Sequence, residues 1–275
     1  MPSPLLRRPS SPGRADGLTL SIRPQDAGWD YIGFASHRLA PGQMLRRAAD
    51  GREVGVVVLE GACRLRAGGQ VFSAVGSRQS VFEGPPAPVV LVEPDADLEL
   101  EALRPTTILI ADAPAGAVHP TRVIEPATMR VEERGHGATA RRIHHLLPPE
   151  VEAGRLILVE VFTPGGHWSS YPPHKHDTED PPRESYLEEL YYYRFARPEG
   201  FAMARVYTAD RSLDESLAPG DGDVVLVPRG YHPVGMPAGY DGYYLNVMAG
   251  PARRWHFTLD PDHAWLMDWD PTGSR

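Results

Sequence analysis

Apolar residues in this chain come in short runs broken by glycine and proline. Runs at 54–59, 89–92, 98–103, 107–110, 156–162, 190–195, 201–207, 224–227 and 243–248 are rich in β-branched and aromatic side chains. Turn formers such as Gly68-Gly69, Gly84-Pro85-Pro86 and Pro228-Arg229-Gly230 separate them. Residues of these types suit a pleated, packed surface, and short strands at regular spacing predict a sandwich or barrel. No long segment carries a helical apolar period, and only 184–190 offers a short helical turn. The expected class is all-β.

The rhythm occurs twice. Residues 51–102 run strand, Gly-Gly turn, strand, a Glu-Gly-Pro-Pro break and two further strands, and 155–257 repeat that plan with other chemistry. Two tandem jelly-roll-like barrels are therefore expected, over 18–139 and 140–275. Residues 114–152 would connect them, with a bridging strand at 140–147. Residues 1–17 hold basic residues and prolines but no apolar stretch, and read as a disordered extension. The second half is the chemically distinct one, because ten of the eleven tyrosines fall between Tyr171 and Tyr244.

Composition narrows the function. The 275 residues carry 36 acids against 28 Lys and Arg, a formal charge of −8. That balance argues against a general nucleic-acid binder or a polybasic membrane-surface protein. No run of apolar residues is long enough to span a bilayer, and a cytoplasmic address is the expectation. Cys63 is the only cysteine, which excludes an intrachain disulfide and a multi-cysteine zinc site. It sits in an apolar run and is expected in the core. Lys175 is the only lysine, so any Schiff-base chemistry would have one possible nucleophile.

That lysine lies in Tyr171-Pro-Pro-His174-Lys175-His176-Asp177. In an extended segment His174 and His176 share one face and Lys175 takes the other. Two imidazoles so placed can chelate one divalent ion. His-X-His pairs also arise by chance among 11 histidines. Two further segments strengthen the signal. Glu188-Glu189 opens the aromatic strand 190–195, and Gly222 to His232 is a strand, a Pro-X-Gly turn and a histidine. Three neutral nitrogens and one carboxylate would suit Fe(II), Mn(II) or Zn(II) and leave coordination positions open. Adjacent His144 and His145 face opposite sides of a strand and cannot chelate in this way.

At these residues the chain resembles the cupin superfamily, with its His-X-His, Glu and Gly-X5-Pro-X-Gly-X2-His elements. Gly222, Pro228 and Gly230 match, and His232 arrives one residue early. Twelve residues separate His176 from Glu189, more than the usual motif has, so Glu179, Glu184, Glu188 and Glu189 are all available. Glu189 is chosen because it directly precedes the aromatic strand, where the superfamily's ligand sits. Residues 163–177, 188–195, 227–234 and 239–251 are similar to the bacterial 5-deoxy-glucuronate isomerases of myo-inositol breakdown. The resemblance implies a metal-dependent bicupin that converts 5-deoxy-glucuronate to 5-dehydro-2-deoxy-gluconate, with His174, His176, Glu189 and His232 as metal ligands.

The implied substrate is a small sugar acid. Its carboxylate calls for local cations in an acidic protein, and Arg229 and then Arg183 are the candidates. Strand alternation places Tyr191 and Tyr193 on the face of Glu189, where they would donate hydrogen bonds, shuttle protons or simply fill the barrel. The segment 177–188 would form a rim or lid. An Fe(II) dioxygenase and a non-catalytic sugar-binding bicupin remain the competing readings. A homo-oligomer is compatible with the exposed edges of such a fold.

Overall fold

A computed structural model describes residues 3–10 and 16–269. Its frame is two large antiparallel sheets. The first runs, in spatial order, Arg122–Ile124, Val89–Val92, Arg52–Glu60, Thr106–Pro114, Gly33–Leu39 and Leu18–Ile22. The second runs Leu6–Arg7, Val224–Val227, Glu188–Phe195, Gly242–Ala249, Ile157–Thr163, Arg141–Leu147 and Arg130–Arg134. Each faces a four-stranded sheet. In the first half that sheet is Met44–Arg47, Leu98–Ala102, Cys63–Ala67 and Gln70–Val75. In the second half it is Trp168–Ser169, Val234–Gly235, Met203–Tyr207 and Asp214–Leu217. Nine strands of each half match in connection order, from Leu18–Ile22 to Thr106–Pro114 and from Arg141–Leu147 to Gly242–Ala249, while the edge strands Arg122–Ile124, Leu6–Arg7 and Arg130–Arg134 do not, so the faint repeat in the sequence is a topological duplication. The sheets stay open in a jelly-roll arrangement, without closing into barrels.

Strand Arg52–Glu60 shows why the sequence reads as continuously apolar there. It is covered on both faces, so both sets of alternating side chains must be apolar. Val54, Val56 and Val58 pack with Leu65, Leu100 and Ile108 inside the first half. Val57 and Leu59 instead join Leu91 and Leu109 in a core shared with the second half. Cys63 lies in the first interior as expected, and burial raises its thiol to about 12. Among the described residues the α-helical content is the single turn Pro24–Ala27, and no helix is long and apolar enough to cross a membrane. The helical turn expected at 184–190 is absent, because strand Glu188–Phe195 already begins there.

Two boundaries differ from the sequence reading. Leu6–Arg7 is an edge strand of the second large sheet, Leu6 pairing with Val225. Leu5 is buried and its carbonyl accepts from the Leu226 N–H. The segment expected to be disordered up to residue 17 thus covers a sheet edge, a role with no periodicity to reveal it. Residues 1–2 and 11–15 of that segment lie outside the described residues. Strand Arg130–Arg134 pairs with Arg141–Leu147 and so belongs with the second sheet, on the far side of the boundary placed at 139.

Buried carboxylates lock the halves together. Glu53, in the first half, accepts the backbone N–H groups of Gly154, Arg155 (3.1 Å) and Leu156 (2.9 Å) at the entry to the second. Glu188, in the second half, accepts those of Asp30 (2.7 Å), Tyr31 (2.9 Å) and Ile32 (2.8 Å) in the first. Glu160 adds a third link, paired with Arg78 and receiving His144 Nδ1 (3.0 Å) and the Tyr243 hydroxyl (2.9 Å). Burial alone would raise the Glu160 carboxyl, but the Arg78 charge and the His144 hydrogen bond outweigh it and hold it at about 2.

Candidate metal centre

The His-X-His segment enters the second half as a strand, because His174–Lys175 pairs with Thr258–Leu259 of the chain's final part. His174 and His176 then share a face. Lys175 points away, its ammonium bound by Asp177 (2.6 Å) and Glu184 (2.8 and 3.0 Å). The lysine is therefore a structural cation and no Schiff-base nucleophile. Segment 177–188 is pinned by the same groups, Glu184 also accepting the N–H groups of Asp177 and Thr178. It is a hydrogen-bonded loop and does not line the cavity beside His174 and Glu189.

His232 is delivered by the turn after Val224–Val227. Gly230 has φ +87°, and a Cβ there would lie 2.2 Å from the Tyr207 carbonyl oxygen, so only glycine lets the chain double back. The Gly230 N–H donates to Asp177 Oδ2 at 2.7 Å, tying this turn to the His-X-His segment. The imidazoles of His174, His176 and His232 thus converge, each offering a nitrogen within 4.8 Å of the others. Glu189 joins them from strand Glu188–Phe195, its Oε2 lying 2.9 Å from His176 Nε2 and 3.0 Å from His232 Nε2. His176, His232 and Glu189 are buried, and His174 is partly so.

The protonation pattern fits a cation. Each histidine has Nδ1 on a backbone carbonyl: Pro172 (3.1 Å) for His174, Leu187 (3.1 Å) for His176 and Gly230 (2.9 Å) for His232. A carbonyl accepts only, so Nδ1 carries a proton and each ring turns its Nε2 inward, the atom that would ligate a cation. His232 Nε2 makes no hydrogen bond despite its nearness to Glu189. His176 Nε2 and Glu189 Oε2 lie 2.9 Å apart, a spacing that calls for a proton or a metal cation between them. Burial and the neighbouring His232 and His176 push His174 down to about 3. Burial would raise Glu189, yet His232 and His176 hold it well below the usual carboxylate range. For His176, burial lowers the pKa, but the Glu189 charge and hydrogen bond outweigh it, leaving a net rise.

A cavity of about 330 Å³ opens beside these groups, lined by His174, Glu189 and Tyr191 on one wall. The Tyr191 hydroxyl lies 3.3 Å from Ser170 Oγ. Ser170 has φ +50°, an uncommon backbone region for a residue with a side chain. Tyr193 is a correction to the sequence reading. Although on the same strand face, it sits deeper, stacked on Phe195 and against Tyr244, and does not reach the cavity. The arginines are a second correction. Arg229 is exposed and donates to Ser212 Oγ (3.3 Å), Arg183 pairs with Asp180 on the surface, and neither lines the cavity. Both sit on turns that project outward. The cavity's cations are Arg134 and Arg141.

The chain matches the KduI/IolB family over residues 5–266. It belongs to that family. Among its KduI/IolB relatives, the 5-deoxy-glucuronate isomerase of Geobacillus kaustophilus (strain HTA426) is 46% identical over 260 residues, 94% of each chain. The crystal structure of an IolB-like protein from Salmonella typhimurium LT2 matches with TM-score 0.93 and 43% identity, over 96% of this chain and 99% of that one. Oxalate decarboxylase from Lactobacillus farciminis has the same fold at 12% identity, with TM-score 0.63 over 98% of this chain and 92% of that one. The bicupin expectation therefore holds.

All four sequence blocks that carried the resemblance to 5-deoxy-glucuronate isomerases converge on the centre. Block 163–177 supplies His174 and His176, 188–195 supplies Glu189, and 227–234 supplies His232. Block 239–251 supplies a residue that sequence reasoning missed. Asn246 Nδ2 donates to Glu189 Oε1. A signal was present, because Asn246 is the one amide in strand Gly242–Ala249, which is buried at every position. Replacing Asn246 with leucine is expected to weaken metal binding about 10- to 100-fold, since groups that orient a ligand carry effects of that size. Competition with a chelator measures it, and unchanged affinity in a folded variant would remove Asn246 from the centre.

Proposed function

We propose that this chain is a 5-deoxy-glucuronate isomerase, converting that aldose acid to 5-dehydro-2-deoxy-gluconate with one divalent ion (Mn, Fe or Zn) held by His174, His176, Glu189 and His232. The observation that carries the reading is the convergence of three imidazole nitrogens and an ionised carboxylate beside a cavity that also contains cations, in a chain of the KduI/IolB family. The reaction moves a hydrogen from a hydroxyl-bearing carbon to the neighbouring carbonyl carbon. When bound, the ion would supply Lewis acidity to the negative charge that develops during this transfer.

The chain's own residues bind and orient. Asn246 holds Glu189 so that Oε2 faces the histidines. Burial and the Glu189 charge raise the Tyr191 phenol well above its ordinary value, so it stays protonated and donates a hydrogen bond into the cavity. Ser170, within reach of that hydroxyl, extends the donor chain. Trp255, Phe257 and Leu259 give the cavity wall apolar surface. A neutral donor that does not need to reorganise is the kind of group that stabilises charge as it forms.

The test is to follow 5-deoxy-glucuronate by NMR under anaerobic conditions with the metal-loaded protein. Conversion to the ketose, abolished by a chelator and restored by one of the three ions, is the expected result. Unchanged substrate overturns the proposal, and oxygen uptake linked to turnover would replace it with the dioxygenase.

A further inference from the structure

Arg141 begins strand Arg141–Leu147, and its cross-strand partner in the antiparallel pair is Arg134. Like charges directly opposite each other are destabilising, yet both arginines line the cavity beside His174 and Glu189. Arg134 is neutralised by Glu132, which accepts from its Nε at 2.7 Å and its Nη2 at 3.1 Å. Arg141 is buried, and among the described residues no carboxylate lies within ion-pair distance of it. A buried guanidinium without a counter-charge is costly.

Nor are its donors used up. Arg141 spends Nη1 on the Thr139 carbonyl (2.8 Å) and Nη2 on the Tyr171 carbonyl (3.0 Å), leaving three of a guanidinium's five N–H groups. Arg253 shows what a purely structural arginine in this fold looks like. Its Nε, Nη1 and Nη2 serve the carbonyls of Leu156, Pro149, Val151, Leu147 and Pro148, which consumes every donor. Arg141 is instead held by two carbonyls and left with donors to give. The Tyr171 carbonyl also begins the short segment that ends at His174, so guanidinium and candidate metal ligand are positioned from one stretch of chain.

We infer that Arg141 binds the substrate carboxylate and selects acidic sugars over neutral ones, with the aldose end at the His174 and Glu189 side of the same cavity. The inference rests on the isomerase reading and adds the residue that recognises the acid. A planar fork with free donors matches a carboxylate in two-point fashion, and the pairing neutralises the buried charge.

The experiment compares wild type and R141Q, metal-loaded, on 5-deoxy-glucuronate and on the neutral 5-deoxy-hexose that carries a hydroxymethyl group in place of the carboxylate. For R141Q the acid's kcat/KM should fall about 10²- to 10³-fold, mainly through KM, while the neutral sugar changes little. R141K, which keeps the charge without the fork, should recover part of the loss. Equal losses on both sugars, or a preference for the acid that survives in R141Q, overturns the assignment. Melting temperature and metal content establish that the variants are folded and loaded, and R141K carries the same comparison if R141Q is not. A wild type inactive on the acid counts against the isomerase reading itself, which separates the two failures.

Discussion

A His176→Ala protein is expected to lose its divalent ion on dialysis and at least about 10³-fold in kcat/KM. His176 is buried, its Nδ1 is fixed by the Leu187 carbonyl, and its Nε2 lies 2.9 Å from Glu189. Removing it breaks the chelate made with His174 and leaves Glu189 beside His232 alone. A metal acting as Lewis acid supplies several kcal/mol of transition-state stabilisation, and about 1.4 kcal/mol is a factor of ten in rate. Loss of some 4 kcal/mol therefore gives the magnitude. Atomic emission on the dialysed protein and NMR progress curves measure the two effects. Wild-type metal content together with wild-type turnover would remove this histidine from the centre.

Glu53→Ala is expected to be the most destabilising single substitution away from the cavity, by about 3–5 kcal/mol. It strands the N–H groups of Gly154, Arg155 and Leu156 and the buried ring of His119, whose Nε2 is 2.8 Å from the carboxylate. In a chain of this size that is a drop in Tm on the order of 10 °C, read by calorimetry. Burial would raise the Glu53 carboxyl, but His119 and the three amides outweigh it and the net pKa is lowered. A lowered folded-state pKa contributes stability that is present above the ordinary value of 4.5 and is lost as pH falls through the folded-state value. The stability gap between wild type and Glu53→Gln should accordingly narrow in acid. A gap that is constant with pH, or a Glu53→Ala protein as stable as wild type, would show that the carboxylate does not clamp the halves.

The same clamp explains how much of the fold was legible. Strand runs such as 54–59 and 224–227 announce themselves because a strand covered on both faces has to be apolar throughout. The duplication was faint because the two halves share connection order more than residues. Val54, Val56 and Val58 fill the first interior, on the same alternation that puts Glu189, Tyr191 and Tyr193 inside the second. Glu53 and Glu188 were invisible as partners because each bonds backbone amides more than 100 residues away. Backbone amides leave no mark on the sequence.

By itself the sequence determined the class of fold, the face shared by His174 and His176, the opposite direction of Lys175 and the candidacy of Glu189 and His232. The two histidines and the lysine follow from alternation within one segment, the fold class from runs repeated along the chain, and Glu189 and His232 from segments that resemble the cupin motif. Tertiary structure alone decided which glutamate joins the histidines, that Asn246 orients it, that Tyr193 packs below the cavity and that Arg134 and Arg141 replace Arg229 and Arg183 inside it. Those outcomes depend on which strands lie side by side and at what register. That is set by the burial of whole sheets, and no local pattern of residues encodes it.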